Sequence, residues 1–262
     1  MSTVGTFTLI KNEIAWIKAH LMSWLPHVDK MVFFDGNSTD GTLEVLRYFS
    51  KHHKDGWEKI QLVENVDPKN LQEEYVRLFN ECLQYLNTNY AIFAHPDMIL
   101  DDPGNIHSLG EGIAYYSNCR SFAGDPGGQL YEITTGRTDK WKHIYRHHNP
   151  SLGLHYFGFY GARNEDCYFR AITEDEHRLH EDWSEYPYEI PDSGMRILHY
   201  SDVRLYERRH SRMVKCLLND NNLLATAEAV ATNHPRVTLK NGYGFKFVPS
   251  EYHPLLREPC RV

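Results

Sequence analysis

Apolar and polar positions alternate in two rhythms along the first hundred residues. FTLI at 7–10, KMVFFD at 30–35, IQLVENV at 60–66 and YAIFA at 90–94 are short, dense apolar runs. Runs of this length bounded by turn residues predict buried β-strands. Between them the spacing changes. Ile14, Ile17, Leu21 and Leu25 recur at helical intervals and predict an amphipathic helix from Glu13 to Leu25. The turn-rich string GNSTDGT at 36–42 leads into a second helix, with Leu43, Leu46 and Phe49 on its apolar face and Thr39 or Asp40 able to cap it. Leu71, Tyr75, Leu78, Cys82 and Leu86 mark a third. Strands separated by helices of this length imply right-handed crossovers and an α/β fold, a mostly parallel central sheet flanked by helices on both faces. Ligands of such sheets sit beyond the carboxyl ends of the strands. Those ends carry Asn12 and Glu13, Asp35, Asp67, and then His95 and Asp97.

Beyond residue 103 the alternation stops. Loops such as GDPGGQ interrupt the short runs CRSFAG and QLYEITTG, and aromatics crowd HYFGFYG. A long helix is expected from Arg204 to Ala231, and Asn241-Gly242 between VTLK and YGFKFV predicts a hairpin. One domain over 1–262 follows, in three parts. Residues 1–102 form a ligand-binding half, 103–203 a second half continuing the sheet, and 204–262 a C-terminal helical segment with the hairpin.

Composition changes this picture little. The chain has 262 residues, 41% of them hydrophobic and 24% charged, enough for a sizeable core without staples, and it is neither disordered nor coiled-coil. No apolar run approaches the roughly 18–20 residues of a membrane helix, and MSTVGTFTLIKNE lacks the basic start and apolar middle of a signal peptide. Five scattered cysteines with no CxxC pair read as reduced thiols, so a cytoplasmic location is expected. A net charge of −7 argues against strong overall attraction to nucleic acid.

The string DGNSTDGT at 35–42 resembles the D-D-G-S-T-D-G-T signature of family 2 glycosyltransferases, enzymes of the GT-A, Rossmann-like fold. It matches at Asp35, Ser38, Thr39, Asp40, Gly41 and Thr42 and departs at Gly36-Asn37. Asn12-Glu13 stands where that family's first strand ends in an N-E pair. The resemblance implies that Asp35, with Asn12, Glu13 and Asn37 around it, meets the nucleotide of the donor. A carboxylate suits that task, since it accepts the imide N–H of uracil. AIFAHPDMIL at 91–100 resembles the metal-binding D-x-D that follows the family's fourth strand. So aligned, Asp97 is the second acid, His95 stands in place of the first, and Met98 replaces a following Glu. The implied cofactor is a divalent metal, Mn2+ or Mg2+, with Asp97, His199 and His95 as its candidate ligands; His95 is equally a candidate for the ribose or diphosphate. Asp101 and Asp102 are rival acids, expected to start a surface turn.

RILHYSDVRLYERRHSRMVK at 196–215 resembles the C-terminal H-Y-S block of a branch of the family. By that resemblance His199 completes the metal or diphosphate site, and Arg204 and Arg208, one helical turn apart, hold the leaving diphosphate. Inverting members carry an E-D pair whose Asp is the general base. Glu174-Asp175 resembles it best, Glu181-Asp182 is the runner-up, and a third acidic cluster lies at 164–166. Asp67 and Lys69 fall where the family's loop after strand three passes near the nucleotide. The activity implied is transfer of a sugar from a nucleoside-diphosphate sugar, UDP-sugar favoured, by inverting single displacement. The acceptor is open: a glycan, a lipid-linked sugar, a protein, or a modified DNA base, the last disfavoured by charge. Two other readings stand beside it. One is a nucleotide- or sugar-binding protein that kept the fold without the activity, which His95 and Met98 allow. The other is a nucleotidyltransferase, which LIKNEIAW disfavours because it lacks a Gly-rich loop.

Overall fold

The computed structural model describes residues 3–54, 56–66, 78, 81–82, 84–108, 114–124, 128–134, 140–146, 157–160, 168–171, 192–203, 236–238 and 244–257. The first apolar runs become β1 (Val4–Ile10), β2 (Lys30–Asp35), β3 (Ile60–Val63) and β4 (Tyr90–Phe93). They pair in the order β4-β1-β2-β3, every pair parallel, with Ile10 opposite Asp35 and Phe7 opposite Phe93. Successive side chains enter opposite layers, as the pleat requires. Met31 and Phe33 join one core cluster, Val32 and Phe34 the other. A strand buried on both faces reads as a continuous apolar run, which is why KMVFFD shows no alternation.

Helices α1 (Ile14–Trp24) and α2 (Thr42–His52) cover the first face, with Ile17, Leu21, Trp24, Val45, Leu46 and Phe49 in its core. The chain leaves α1 through a 3-10 turn at Leu25–His27, where Pro26 has no N–H to continue the ladder. A short helix, α3 (Gly56–Lys59), precedes β3. Leu78, Cys82 and Leu86 of the expected third helix pack on the opposite face with Phe7, Val32, Phe34 and Phe93. Cys82 and Cys119 are buried thiols.

The second half departs from the parallel pattern. A strand not expected from the sequence, β5 (Met98–Asp102), follows β4 after one tight turn. Then come β6 (Ala114–Gly124), β7 (Leu130–Thr134), β8 (Lys140–Arg146), β9 (Phe157–Tyr160), β10 (Tyr168–Ala171), β11 (Asp192–Val203), β12 (Arg236–Thr238) and β13 (Gly244–Ser250). β8 joins β4 antiparallel and extends the sheet through β6, β7, β13 and β12, each pair again antiparallel. The parallel expectation therefore holds for β1 to β4 among themselves, and the whole sheet is mixed. β11 lies parallel to β6 and antiparallel to β5. The aromatic cluster HYFGFYG supplies β9 of a separate two-stranded sheet. Thr238 pairs with Gly244, so the strands flanking Asn241-Gly242 are antiparallel neighbours, as the hairpin expectation requires, while the turn itself lies outside the described residues.

β5 and β11 enclose a third core cluster with Ile99, Phe122, Leu198, Tyr200, Trp16 and Ala19, closed by Tyr252, Leu255 and Leu256. Gly104 faces Gly194 so closely that a Cβ at Gly104 would lie 2.5 Å from the Gly194 carbonyl carbon. With φ at +55°, that position needs glycine for both space and backbone. The helix expected from Arg204 to Ala231 lies outside the described residues. Among the described residues no helix is long and apolar enough to cross a membrane.

Candidate nucleotide and metal site

Because β1, β2 and β4 run parallel, their carboxyl ends share one edge of the sheet, with the end of β1 between the other two. Asp35 closes β2 and is fully buried. Its Oδ2 accepts the Ser38 N–H at 3.0 Å. Its Oδ1 is buried with no hydrogen-bond partner. A buried carboxylate oxygen left without a donor is costly, and a ligand N–H is a natural remedy.

The loop after Asp35 is laced to the end of β1. The Asn12 N–H donates to Ser38 Oγ at 2.9 Å, and the Thr39 N–H donates to Asn12 Oδ1 at 2.8 Å. The Glu13 N–H reaches Thr42 Oγ1 at 2.8 Å. Asp40 joins the starts of both helices: Oδ2 accepts from Ile14 N at 3.0 Å, and Oδ1 accepts from Thr42 N and Oγ1. Burial alone would raise its pKa, but the bonds from Thr42 and Ile14 together outweigh that and lower it. The residue in the cap position of α2 is Gly41, at φ +99°, so Asp40 serves the helix from one place earlier than a cap. Asn37 sits at φ +60° and Asn12 at φ +56°. Asparagine is the side-chain-bearing residue that best tolerates this left-handed region. Asn37, where the D-D-G pattern has glycine, therefore holds a conformation that glycine also adopts freely.

The second part of the site begins where β4 ends. Thr8 Oγ1 donates to the Ala94 carbonyl at 2.7 Å and the Ala94 N–H to the Phe7 carbonyl at 3.2 Å, pinning the strand's exit. His95-Pro96-Asp97-Met98 then forms a turn closed by the Met98 N–H on the His95 carbonyl at 2.9 Å. Proline in its second position pre-sets the backbone for such a turn. Asp97 and His199 are both buried, and His199 Nε2 lies 3.5 Å from Asp97 Oδ1. The Tyr200 N–H donates to the Asp97 carbonyl at 2.9 Å. The half-buried His95 ring lies parallel to that of His199, 6.1 Å away, and edge-on to Phe93 at 4.4 Å.

His199, distant in sequence, is thus brought to one place with His95 and Asp97. The Asp97 oxygen and His199 nitrogen have roughly the spacing of two donors on one cation with bonds of about 2.1 Å. Among the described residues no group of three His, Cys, Asp or Glu side chains has the geometry of a metal cluster. Asp97 and His199 would offer a cation one carboxylate oxygen and one imidazole nitrogen, leaving its other positions to water or a diphosphate; the imidazole departs from the all-oxygen shell usual for Mg2+.

Asp101 and Asp102 do not compete for this role. They end β5, where Arg196 contacts both, and Asp102 Oδ1 accepts the Gly104 N–H at 3.0 Å as the expected turn begins. Asp67, Lys69, Asp175, Asp182, Glu174, Glu181, Arg204 and Arg208 lie outside the described residues. His20 was not among the candidates. It is fully buried behind the turn, with Nδ1 2.9 Å from the Met98 carbonyl. Burial pushes its pKa down to about 4. The available signal was a lone imidazole inside the apolar run of α1.

Solved structures of GT-A glycosyltransferases match this chain. A mannosyltransferase of Pyrobaculum calidifontis, in complex with GDP-Man and Mn2+, matches 45% of the chain at 19% identity with a TM-score of 0.37. The match spans 35% of that enzyme's own length. TarS of S. aureus, in complex with UDP, matches 88% of the chain and 70% of its own at 13% identity, TM-score 0.41. Glucosyl-3-phosphoglycerate synthase of Mycobacterium tuberculosis, with Mn2+ and UDP-glucose, matches 48% of the chain and 45% of its own at 20% identity, TM-score 0.29. No family model and no curated protein matches the sequence.

Proposed function

We propose that the chain is a metal-dependent glycosyltransferase moving a sugar from a nucleoside-diphosphate sugar, UDP-sugar favoured, to a hydroxyl acceptor in the cytoplasm. The observation that carries this reading is Asp35. Its signature loop is held rigid by Asn12, Ser38 and Asp40, and its buried Oδ1 lacks a donor at the sheet edge where ligands of such folds sit. A uracil imide N–H meets that need.

In this reading Asp97 and His199, with His95 beside them, hold Mn2+ or Mg2+, and the metal neutralises the diphosphate that Asp97 alone would repel. His95 alternatively touches the ribose or diphosphate. Asn12, Glu13, Asn37, Asp67 and Lys69 surround the nucleotide, and Arg204 and Arg208 steady the leaving diphosphate. The acceptor proton goes to Asp175, or to Asp182, with Glu174 or Glu181 in support, and an inverted product follows. Only the local sequence supports those later assignments. The acceptor is a glycan, a lipid-linked sugar or a protein, ahead of a modified DNA base.

A second reading, a binding protein without transfer activity, is favoured by His95 and Met98 standing where the D-x-D pattern has acids. Thermal-shift measurements against UDP-, GDP-, CMP- and dTDP-sugars, with and without Mn2+, test the first reading. Stabilisation by one nucleotide series, enhanced by Mn2+, is expected. No shift with any donor would reject both, and binding without sugar release would favour the second.

A further inference from the structure

We propose that His20 and Trp24 are positioning residues for the Asp97–His199 pair, acting through the Met98 carbonyl; the proposal rests on the donor-site reading above. Among the described residues one edge of β5 has no strand beside it: β5 pairs only with β11, with Met98 opposite His199 and Leu100 opposite Ile197. The Tyr200 N–H bonds the Asp97 carbonyl on the β11 side. Backbone groups alternate sides along a strand, so Met98 and Leu100 direct theirs to the other edge.

Helix α1 covers that edge. An apolar helix face there would leave a carbonyl and an N–H buried without partners. Instead His20 Nδ1 and Trp24 Nε1 both reach the Met98 carbonyl, at 2.9 and 3.0 Å. Ser23 Oγ accepts the Leu100 N–H at 3.1 Å and donates to the His20 carbonyl at 2.9 Å. One donor would satisfy the Met98 oxygen. Two, from residues a helical turn apart, occupy both lone pairs and fix the direction of the C=O. That carbonyl belongs to the residue after Asp97, so its direction sets how the tight turn presents the Asp97 carboxylate to His199.

The seam also costs stability. With Nδ1–H committed to Met98, Nε2 of His20 is a buried acceptor with no hydrogen-bond partner. A leucine would pack against Phe33 and Trp24 without that cost. Histidine at this place is therefore explained by what it holds.

The test compares His20→Leu, His20→Asn and Trp24→Phe in the full chain. An asparagine amide can place its N–H where Nδ1–H stood, and the Trp24→Phe variant keeps a ring but loses the donor. Two measurements are made: amide exchange at Met98 and Tyr200 against Val32 and Phe33 of β2, and affinity for UDP with and without Mn2+. In the His20→Leu protein the Met98 and Tyr200 amides should exchange faster while the β2 amides stay protected. Its Mn2+-supported UDP affinity should fall by roughly 10–100-fold, the usual loss when a residue orienting a metal ligand is removed, with metal-free affinity unchanged. The Trp24→Phe variant should move the same way by less, and His20→Asn should recover both readouts. Native exchange at Met98 and Tyr200 in the His20→Leu protein, or no recovery with asparagine, would overturn the proposal. If the unaltered protein binds no UDP with Mn2+, the uridine form of the donor-site reading fails, and the exchange measurements still decide whether His20 positions the turn.

Discussion

The two walls of the site are held by different means. The Asp35 wall is secured by bonds between near neighbours: Ser38 to Asp35 spans three positions, Thr42 to Asp40 two, and Asn12 to Thr39 only 27. The Asp97 wall is secured from a distance. Its turn rests on Trp24 and His20, 74 and 78 positions away, on Thr8 beneath Ala94, and on β11 beside it. A loop held by its own residues and by the adjoining end of β1 tolerates change elsewhere in the molecule. A turn held by three remote elements transmits change in any of them.

The greatest expected difference between the walls concerns metal. Asp97→Ala should abolish Mn2+-dependent tightening of donor binding while leaving metal-free nucleotide affinity in place. Calorimetry with and without Mn2+ reads this directly, and intact Mn2+ dependence in the variant would remove Asp97 from the metal site.

Acid should act on the Asp97 wall through His20. Burial lowers its folded pKa from 6.5 to about 4, so the folded state binds the proton less readily than the unfolded chain. The associated stability is complete above the unfolded value, is lost as pH falls from 6.5 toward 4, and amounts to about 3 kcal/mol at the lower limit. Urea unfolding of the wild type and the His20→Asn variant across that range should show the wild type losing more by about this amount. Parallel curves would mean that His20 titrates normally.

On the other wall, Asp35→Ala should weaken nucleotide binding by roughly 10–100-fold with or without metal, the worth of one hydrogen bond to a charged group. A loss seen only with Mn2+ would mean that the two walls are a single unit. The smallest effect belongs to Asp40. Removing its carboxylate leaves the N–H groups of Ile14 and Thr42 without their acceptor and should cost about 1 kcal/mol in denaturant unfolding. Because its folded pKa is lowered, that contribution is present above the unfolded pKa and fades as pH falls through the folded one.

The same contrast explains what could be read from the chain alone. KMVFFD and DGNSTDGT carry their structure locally, as a buried strand and a turn whose small polar residues bond to their neighbours, so β2, Asp35 and the loop were legible. Met98–Asp102 looked like an apolar run ending in a turn, because nothing near it reveals β11 as its partner. The antiparallel β8, which joins β4 to the second half of the sheet, was missed for the same reason. His20 carried no pattern at all, since a single polar residue in an apolar helix acquires meaning only from the strand edge it covers. Gly104 and Gly194 likewise show their purpose only once two distant backbones meet.

The remote support of the Asp97 turn bears on the order in which a ribosome-bound chain acquires its parts. The parallel half is complete in the first hundred residues and can close over short loops, whereas β5 must wait for β11, which is translated far later. In that interval β5 presents an unpaired edge toward the place β11 will take, with only its α1 side covered, a brief window for mispairing with another nascent strand. Pulse-labelled exchange during refolding should find the β2 amides protected first and Tyr200 among the last. Simultaneous protection of both would indicate that the two halves condense together.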